Sequence, residues 1–313
     1  MKYLARRCAL FIPTLLLVLC LVFLLVRLIP GDVVTLLLND QNVSPQQAAE
    51  FRSKLGLNDP LPVQFVHYVA DVARGDFGHS LFTGNSVWSD VLDRLPVTAE
   101  LALLAAVFTL LLGIPLGVLS AVYQDRPLDH GLRVTAIAGL SLPGFWLGTL
   151  AIAMPAVWWH YSPPLTYVSP FDNLGDNARQ FLVPAVIMSL YFACILMRMT
   201  RSAMLEVLRN DYVRTARAKG LSEQVLIRRH VIRNGLIPVV TLFGTQVAVL
   251  LGGTVIFEQI FNLQGIGSYV FQAVSQRDYP AIQSVNILLA LAVLIVNLLV
   301  DCSYVYLDPR TQG

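Results

Sequence analysis

The chain has 313 residues, of which 56% are apolar and 13% charged, and its mean hydropathy is +0.63. Ordinary soluble domains do not have this balance of apolar and charged residues. The formal net charge of +2 gives no global attraction to nucleic acid or another polyanion. The four cysteines form no CxxC pair and the five histidines lack metal-ligand spacing, which argues against a disulfide framework and against a structural metal site.

Six apolar segments are long enough to cross a bilayer as helices, which requires roughly 20 residues. They are residues 8–29, 99–123, 134–159, 181–199, 236–257 and 281–299. The first follows Lys2, Arg6 and Arg7, as a signal sequence would, but its length and the lack of a small-x-small cleavage site favour an uncleaved span. The sequence therefore predicts an all-α membrane protein with six transmembrane helices.

The segment between the first two spans is too long for a simple turn. We expect a helix at residues 45–55, capped by Ser44, a second helix at residues 61–73, and a turn at Gly75-Asp76-Phe77-Gly78. These elements would form a small helical insertion, although a solvated loop without a role has the same composition. The predicted organisation is residues 1–30 as tail and first span, 31–98 as the insertion, and 99–310 as the core.

The distribution of basic residues predicts the orientation of the spans. The N-terminal tail carries three basic residues and residues 200–235 carry eight, whereas the insertion has four against eight acids. Because Lys and Arg near span ends are retained in the cytoplasm, we expect both termini inside and the insertion outside.

Residues 200–235 are too patterned for a plain connection. Residues 211–219 predict one short helix, Gly220 a sharp break, and Ser222 the cap of a second helix that closes at Asn234-Gly235. Ala216 and Ala218 are small, so another surface could approach this turn closely. Positive charge that merely orients the chain would explain the arginines but not this turn, so we interpret the loop as a docking element.

The loop resembles the cytoplasmic loop of ABC-importer permeases, whose pattern is Glu-Ala-Ala, three residues, Gly, nine residues, Ile-x-Leu-Pro. Registered on Gly220, the second Ala is Ala216, whereas Arg214 stands at the Glu position and Thr215 at the first Ala. His230 and the pair Ile232-Arg233 depart from Ile and Leu-Pro. These departures are similar to the variant in the dipeptide, oligopeptide and nickel branch.

Motifs along nearly the whole chain carry the same resemblance. They are PGD (30–32), GDFGHS (75–80), RLPVTAELAL (94–103), SLPGFWLG (141–148), FEQIFNLQGIG (257–267), RDYP (277–280) and YLDPR (306–310). Any one of them is weak, but the ordered set is specific.

The resemblance implies a type I ABC-importer permease fold and a loop that docks on a separate ATPase. The coupling residues would be Arg214, Thr215, Ala216, Arg217, Ala218, Lys219, Gly220, Leu221 and Ser222. In the family the fifth span lines the translocation path, which makes Thr245 and Gln246 candidates there, with Asn286 in the last span. For each of these three, packing between helices is the competing interpretation.

The resemblance also implies partners and a place in the bacterial cytoplasmic membrane, surrounded by lipid. The expected partners are a second homologous permease in a heterodimer, two ATP-binding subunits that use ATP and Mg, and an extracytoplasmic substrate-binding protein. No nucleic acid is expected. The three lysines, Lys2, Lys54 and Lys219, do not stand in a Walker A motif, so the chain itself should bind no cofactor. Peptides are the expected substrate, while nickel chelates, glutathione-like peptides and sugars stay open.

Two other classes of protein remain as alternatives. An ion-coupled secondary transporter or channel acting alone often shows ionisable residues or broken helices near the midplane, and midplane charges are missing here. A membrane-embedded enzyme ranks last, because no nucleophile motif, carboxylate pair within a span or HExxH sequence occurs.

Overall fold

The computed structural model describes residues 2–28, 46, 53, 58–160, 164 and 166–307. These residues are helical apart from turns, loops and one isolated bridge between His79 and Ser86. In chain order the helices are α1 (Lys2–Leu28), α2 (Leu61–Ala73), α3 (Val87–Val122), α4 (Pro127–Ser141), α5 (Gly144–Trp159), α6 (Leu174–Leu208), α7 (Asp211–Ala218), α8 (Glu223–Leu226), a π-helical turn (Ile227–Val231), α9 (Ile232–Ile260), α10 (Ile266–Gln276) and α11 (Tyr279–Leu307).

The chain divides into two compact units. The first comprises residues 1–96 with 268–294, and the second residues 97–267 with 295–313. The long helices α3 and α11 each begin in the first unit and continue into the second.

In the first unit, the predicted helix at residues 61–73 is confirmed as α2, which starts after Pro60. Phe23 of α1 stacks edge-on against Phe65 of α2, and the Arg27 guanidinium donates to the Gln64 amide oxygen at 2.7 and 3.0 Å. The helix predicted at residues 45–55 lies outside the described residues except Gln46 and Ser53, which are both helical.

The turn predicted at residues 75–78 is confirmed in part: the turn lies at Arg74 and Gly75, and φ is +80° at Gly75 and +73° at Gly78. The segment that follows is attached to the start of α11 through the buried carboxylate of Asp278. The Ser80 hydroxyl donates to Asp278 at 2.6 Å, and the carboxylate also accepts from the Ala281 backbone N–H at 3.3 Å, which caps α11. One buried side chain thus joins two stretches that are about 200 residues apart in sequence.

Four of the described helical stretches are long and apolar enough to cross a membrane: Val87–Val122, Leu174–Leu208, Glu223–Ile260 and Tyr279–Leu298. A fifth crossing requires the bent pair α4 and α5, and α1 contributes a shorter apolar stretch, Phe11–Leu24. The span expected at residues 134–159 is divided between α4 and α5, which meet at a bend of 88°, so whether this stretch crosses the membrane once stays a prediction. The residue before a proline avoids helical backbone, so Leu142 before Pro143 is extended (φ −91°, ψ 123°).

In the second unit, α6 packs against α3, α4, α5 and α9. Helix approach is closest at glycines: a Cβ on Gly139 of α4 would lie 2.7 Å from Cys194 Sγ, and one on Gly235 of α9 2.8 Å from Met204 Sδ. Small residues let helices approach in this way in membrane proteins. A buried apolar cluster of this unit surrounds Phe181 of α6. It includes Leu101 of α3, Leu250 of α9, and Phe257 and Phe261 at the end of α9.

Candidate functional site

The nine predicted coupling residues form one helix–turn–helix element. Residues 214–218 lie in α7, and residues 219–222 form the turn that leads into α8. The prediction of a helix at 211–219 with a break at Gly220 is confirmed in geometry, while the contact that this element would make with a partner stays a prediction.

The turn at Gly220 is a Schellman motif. Gly220 has φ +86°, its N–H donates to the Arg217 carbonyl at 3.0 Å, and the Leu221 N–H donates to the Ala216 carbonyl at 3.3 Å. No atom outside its neighbours lies within 4 Å of where a Cβ on Gly220 would stand. The turn therefore favours glycine for its backbone, and the space beside Gly220 is open.

One side of this element is held by the helices of the second unit, and the other is open. Val213 of α7 and Leu226 of α8 are fully buried. Thr215, Ala218 and Lys219 are exposed. The buried residues fix the element, and the exposed turn is free to contact another molecule.

An ion pair spans the turn. The Arg217 Nε donates to Glu223 Oε1 at 2.6 Å and Nη2 donates to Oε2 at 3.2 Å. The hydrogen bond from its guanidinium to Glu223 raises the pKa of Arg217, so this side chain stays charged. Ser222 occupies the cap position of α8, as predicted, but its side chain makes no capping hydrogen bond.

The helix after the turn does not end at Asn234-Gly235, so that expectation is wrong. The chain passes through the π-helical turn directly into α9. The Asn234 side-chain amide donates to the His230 carbonyl at 2.9 Å and to the Tyr212 hydroxyl at 3.1 Å, which links α9 to α7. Gly235 leaves room for Met204 of α6. Its role is therefore to allow a close contact between helices, and it does not end the helix.

The predicted path residues have different surroundings. Thr245 is exposed and its hydroxyl donates to the Leu242 carbonyl at 2.7 Å, whereas the adjacent Gln246 is buried. The Gln246 amide nitrogen donates weakly to the Phe192 carbonyl at 3.4 Å, and its oxygen has no partner. In the other unit, the Asn286 amide donates to the Ile282 carbonyl of its own helix at 2.7 Å.

A buried acid lies near the end of α9, at a position that the sequence motifs alone did not identify as a site. Glu258 is fully buried, and its carboxylate accepts from the Thr98 hydroxyl at 2.8 Å. That hydroxyl in turn accepts from the Ile266 N–H at 2.8 Å. Gly265 and Gly267 leave the space that the carboxylate fills. The Gly-x-Gly spacing of FNLQGIG was the available signal for such a contact.

The connection between α5 and α6 is also tied down by polar contacts. The Tyr167 hydroxyl donates to Glu100 at 3.0 Å, and the Asn177 amide donates to the other Glu100 oxygen at 2.6 Å. Burial, aided by the hydrogen bond to Glu100, raises the pKa of Tyr167 to about 12, so the hydroxyl remains a donor. Over the part of the chain that is described, no group of three or more His, Cys, Asp or Glu could hold a metal ion.

Comparison with known families gives two matches that together cover almost the whole chain. Residues 113–313 match the binding-protein-dependent transport system inner membrane component, and residues 1–102 match the N-terminal part of such membrane components.

Two relatives match over their full length. A di/tripeptide transport system permease protein of Pseudomonas aeruginosa is 41% identical, covering 100% of this chain and 99% of the relative. A dipeptide transport system permease protein of Escherichia coli is 37% identical with the same coverage. These matches confirm the resemblance that the sequence motifs carry.

Solved structures show the same fold. The MetNI methionine ABC transporter in an inward-facing conformation matches with a TM-score of 0.55 and 17% identity, over 70% of this chain and 96% of that chain. An amino acid ABC transporter matches with a TM-score of 0.54 and 13% identity, over 69% and 93%. At these identities the comparison concerns the fold alone.

Proposed function

Since this chain belongs to the family of binding-protein-dependent transport system inner membrane components, we propose that it is one permease subunit of an ATP-driven peptide importer in the bacterial cytoplasmic membrane. The observation that carries this function is the full-length identity of 41% and 37% to relatives named as di/tripeptide and dipeptide permeases. The substrates would be di- or oligopeptides. No observation favours an ion-coupled transporter acting alone.

The proposed topology is six transmembrane helices with both termini in the cytoplasm. Four long apolar helices, the bent pair α4–α5 taken as one crossing, and α1 together account for six. The basic residues of 200–235 support a cytoplasmic position for that loop, since positive charge is retained on that side. The first unit's insertion would then lie on the outer side.

The proposed energy input is through the α7–Gly220–α8 element. Its exposed basic residues, Arg214, Arg217 and Lys219, outnumber its exposed acids, Asp211 and Glu223, by one, so we expect the groove of the ATPase subunit that receives this element to carry negative charge. ATP and Mg²⁺ would be held by two such partner subunits, because none of the three lysines of this chain stands in a phosphate-binding loop.

The remaining partners follow from the same proposal. A second homologous permease would complete the translocation path, to which this chain would contribute Thr245, Gln246 and Asn286. A substrate-binding protein outside the membrane would deliver the peptide and set most of the specificity. Purification of the complex with that protein, followed by mass spectrometry of the bound ligand, identifies the substrate; a nickel chelate or a sugar instead of a peptide would contradict the peptide assignment.

The sharpest test of the docking element is Gly220→Trp. The substitution places a large side chain in the open space beside the turn and strains a backbone with φ +86°. We expect normal insertion into the membrane, loss of co-purifying ATPase subunits, and peptide uptake reduced at least tenfold.

The matched control is Gly84→Trp, because Gly84 also has a positive φ, of +72°, and open space around its Cβ position. We expect the Gly84 variant to retain its ATPase subunits. Normal uptake by a well-expressed Gly220→Trp protein would show that this turn is not where the ATPase acts.

A further inference from the structure

A partly buried ion pair and its hydrogen bonds join α3, α4 and α6, the helix that leads into the proposed coupling element, which consists of α7, the turn at Gly220 and α8. Asp129, in the first turn of α4, is fully buried. The Arg201 guanidinium of α6 donates to both carboxylate oxygens, from Nε at 2.8 Å and from Nη2 at 2.7 Å. The Ser120 hydroxyl at the end of α3 donates to one oxygen, and the Asp125 backbone N–H donates to the other at 3.0 Å. The carboxylate is thus surrounded by four donors from α3, its following turn and α6.

The same helices touch closely next to this ion pair. A Cβ on Gly117 of α3 would lie 2.5 Å from Thr200 Cβ, and one on Gly113 would lie 2.8 Å from Leu196 Cβ. Such distances show that α3 and α6 approach closely at these two glycines, and close packing of this kind opposes sliding of α3 along α6. The glycine contacts set the distance between the helices, while the bidentate ion pair sets their register and orientation.

A direct mechanical connection leads from this cluster to the coupling element. Arg201 lies about two helical turns before the end of α6 at Leu208. Only Arg209 and Asn210 separate α6 from α7, where Val213 is fully buried. α7 is therefore joined to the helix that carries Arg201 through a connection of only two residues.

We propose that Asp129 and Arg201 are positioning residues that make α3, α4 and α6 move as one block with the coupling helix α7. ATP-driven movement of α7 would then reach the membrane helices in a fixed register. This inference rests on the proposed function, and it assigns to Arg201 a role distinct from the exposed basic residues of the same loop. A buried ion pair adds little stability over apolar packing of the same volume, which favours a geometric role over a purely stabilising one.

The test is the number of peptides transported per ATP hydrolysed by the complete complex in liposomes. We expect Asp129→Asn and Arg201→Gln to keep binding-protein-stimulated ATPase activity within about threefold of the wild type, while peptide transported per ATP falls at least tenfold. Arg201→Lys keeps the charge but lacks the bidentate geometry, and we expect an intermediate ratio.

The double variant Asp129→Asn/Arg201→Gln separates positioning from folding. It removes both charges, so no buried charge is left unpaired, and the complex should assemble as well as the wild type. We expect it to remain uncoupled. If the double variant transports as much peptide per ATP as the wild type, the inference is overturned. The double variant decides the matter even if a single variant fails to assemble.

Two controls remove a charge from the same helices without touching the pair. Arg133 of α4 and Arg198 of α6 are exposed, and we expect Arg133→Gln and Arg198→Gln to retain the wild-type ratio. Failure of the wild-type complex to import peptides with ATP would contradict the proposed function itself. If the wild-type complex imports peptide, and every variant of Asp129 and Arg201 transports as much peptide per ATP as the wild type, only the role of these two residues is overturned.

Discussion

Gly267 shows how closely a single residue can be constrained in this chain. A Cβ there would lie 2.5 Å from the Val255 Cα and 2.9 Å from the Glu258 Oε2. A backbone atom cannot yield as a flexible side chain does, so we expect Gly267→Ala to destabilise the protein by about 1–3 kcal/mol. The measurement is the thermal unfolding midpoint of the purified complex in detergent.

Gly252→Ala is the matched control at the same scale. Gly252 lies within α9, and nothing stands within 4 Å of its Cβ position. Alanine is the better helix former, so this variant should unfold at the same temperature or slightly higher. Equal midpoints for the two variants would show that the space around Glu258 is not tightly filled.

The residues that the sequence could identify differ physically from those that it could not. Gly220 was predictable because a helix break depends on local backbone preference. Asp129 and Glu258 were not, because their roles depend on donors that are 72 residues away in one case and 160 in the other. A charged residue near the end of an apolar run has the same sequence pattern whether it faces water or a partly buried guanidinium.

At the scale of helical elements, Arg217 of α7 pairs with Glu223 of α8 across the turn that joins them. Its ion pair with Glu223 is about half exposed on both sides, at 49% and 58%, and such pairs contribute about 0–1 kcal/mol. We expect Arg217→Glu and Glu223→Arg each to lower peptide uptake by up to about fivefold if the pair only braces the turn. The exchanged double variant should then restore uptake, since the pair is rebuilt with opposite polarity.

Failure of the double variant to restore uptake, with normal expression, would instead place Arg217 in contact with the ATPase groove.

Helix existence was more predictable than helix continuity. The helices at 61–73 and 211–219 were recovered almost to the residue, because apolar spacing and turn residues are local signals. The apolar run around Pro143 has the length of one span, but the structure has two helices there. Asn234-Gly235 predicts a helix end, but the helix continues through it. In the second case tertiary contacts with Tyr212 and Met204 outweighed the local preference.

At the scale of the whole molecule, the bent pair α4–α5 decides the number of crossings. If the pair crosses the membrane once, Gln124 before it and Phe171 after it lie on opposite sides. If the pair is a re-entrant loop, both lie on the same side. Gln124 is exposed and Phe171 is 97% exposed, so cysteines at these positions would be accessible to reagent.

Labelling with a membrane-impermeant maleimide measures this directly, in a background where the four native cysteines are replaced. We expect Phe171→Cys to react in intact spheroplasts, and Gln124→Cys to react only after permeabilisation. Glu206→Cys, exposed near the end of α6, should behave like Gln124→Cys, because positive charge around it favours the cytoplasmic side. Reaction of Gln124→Cys and Phe171→Cys from one side would rule out the six-helix topology, and external labelling of Glu206→Cys would also remove the coupling element from the compartment in which ATP is hydrolysed.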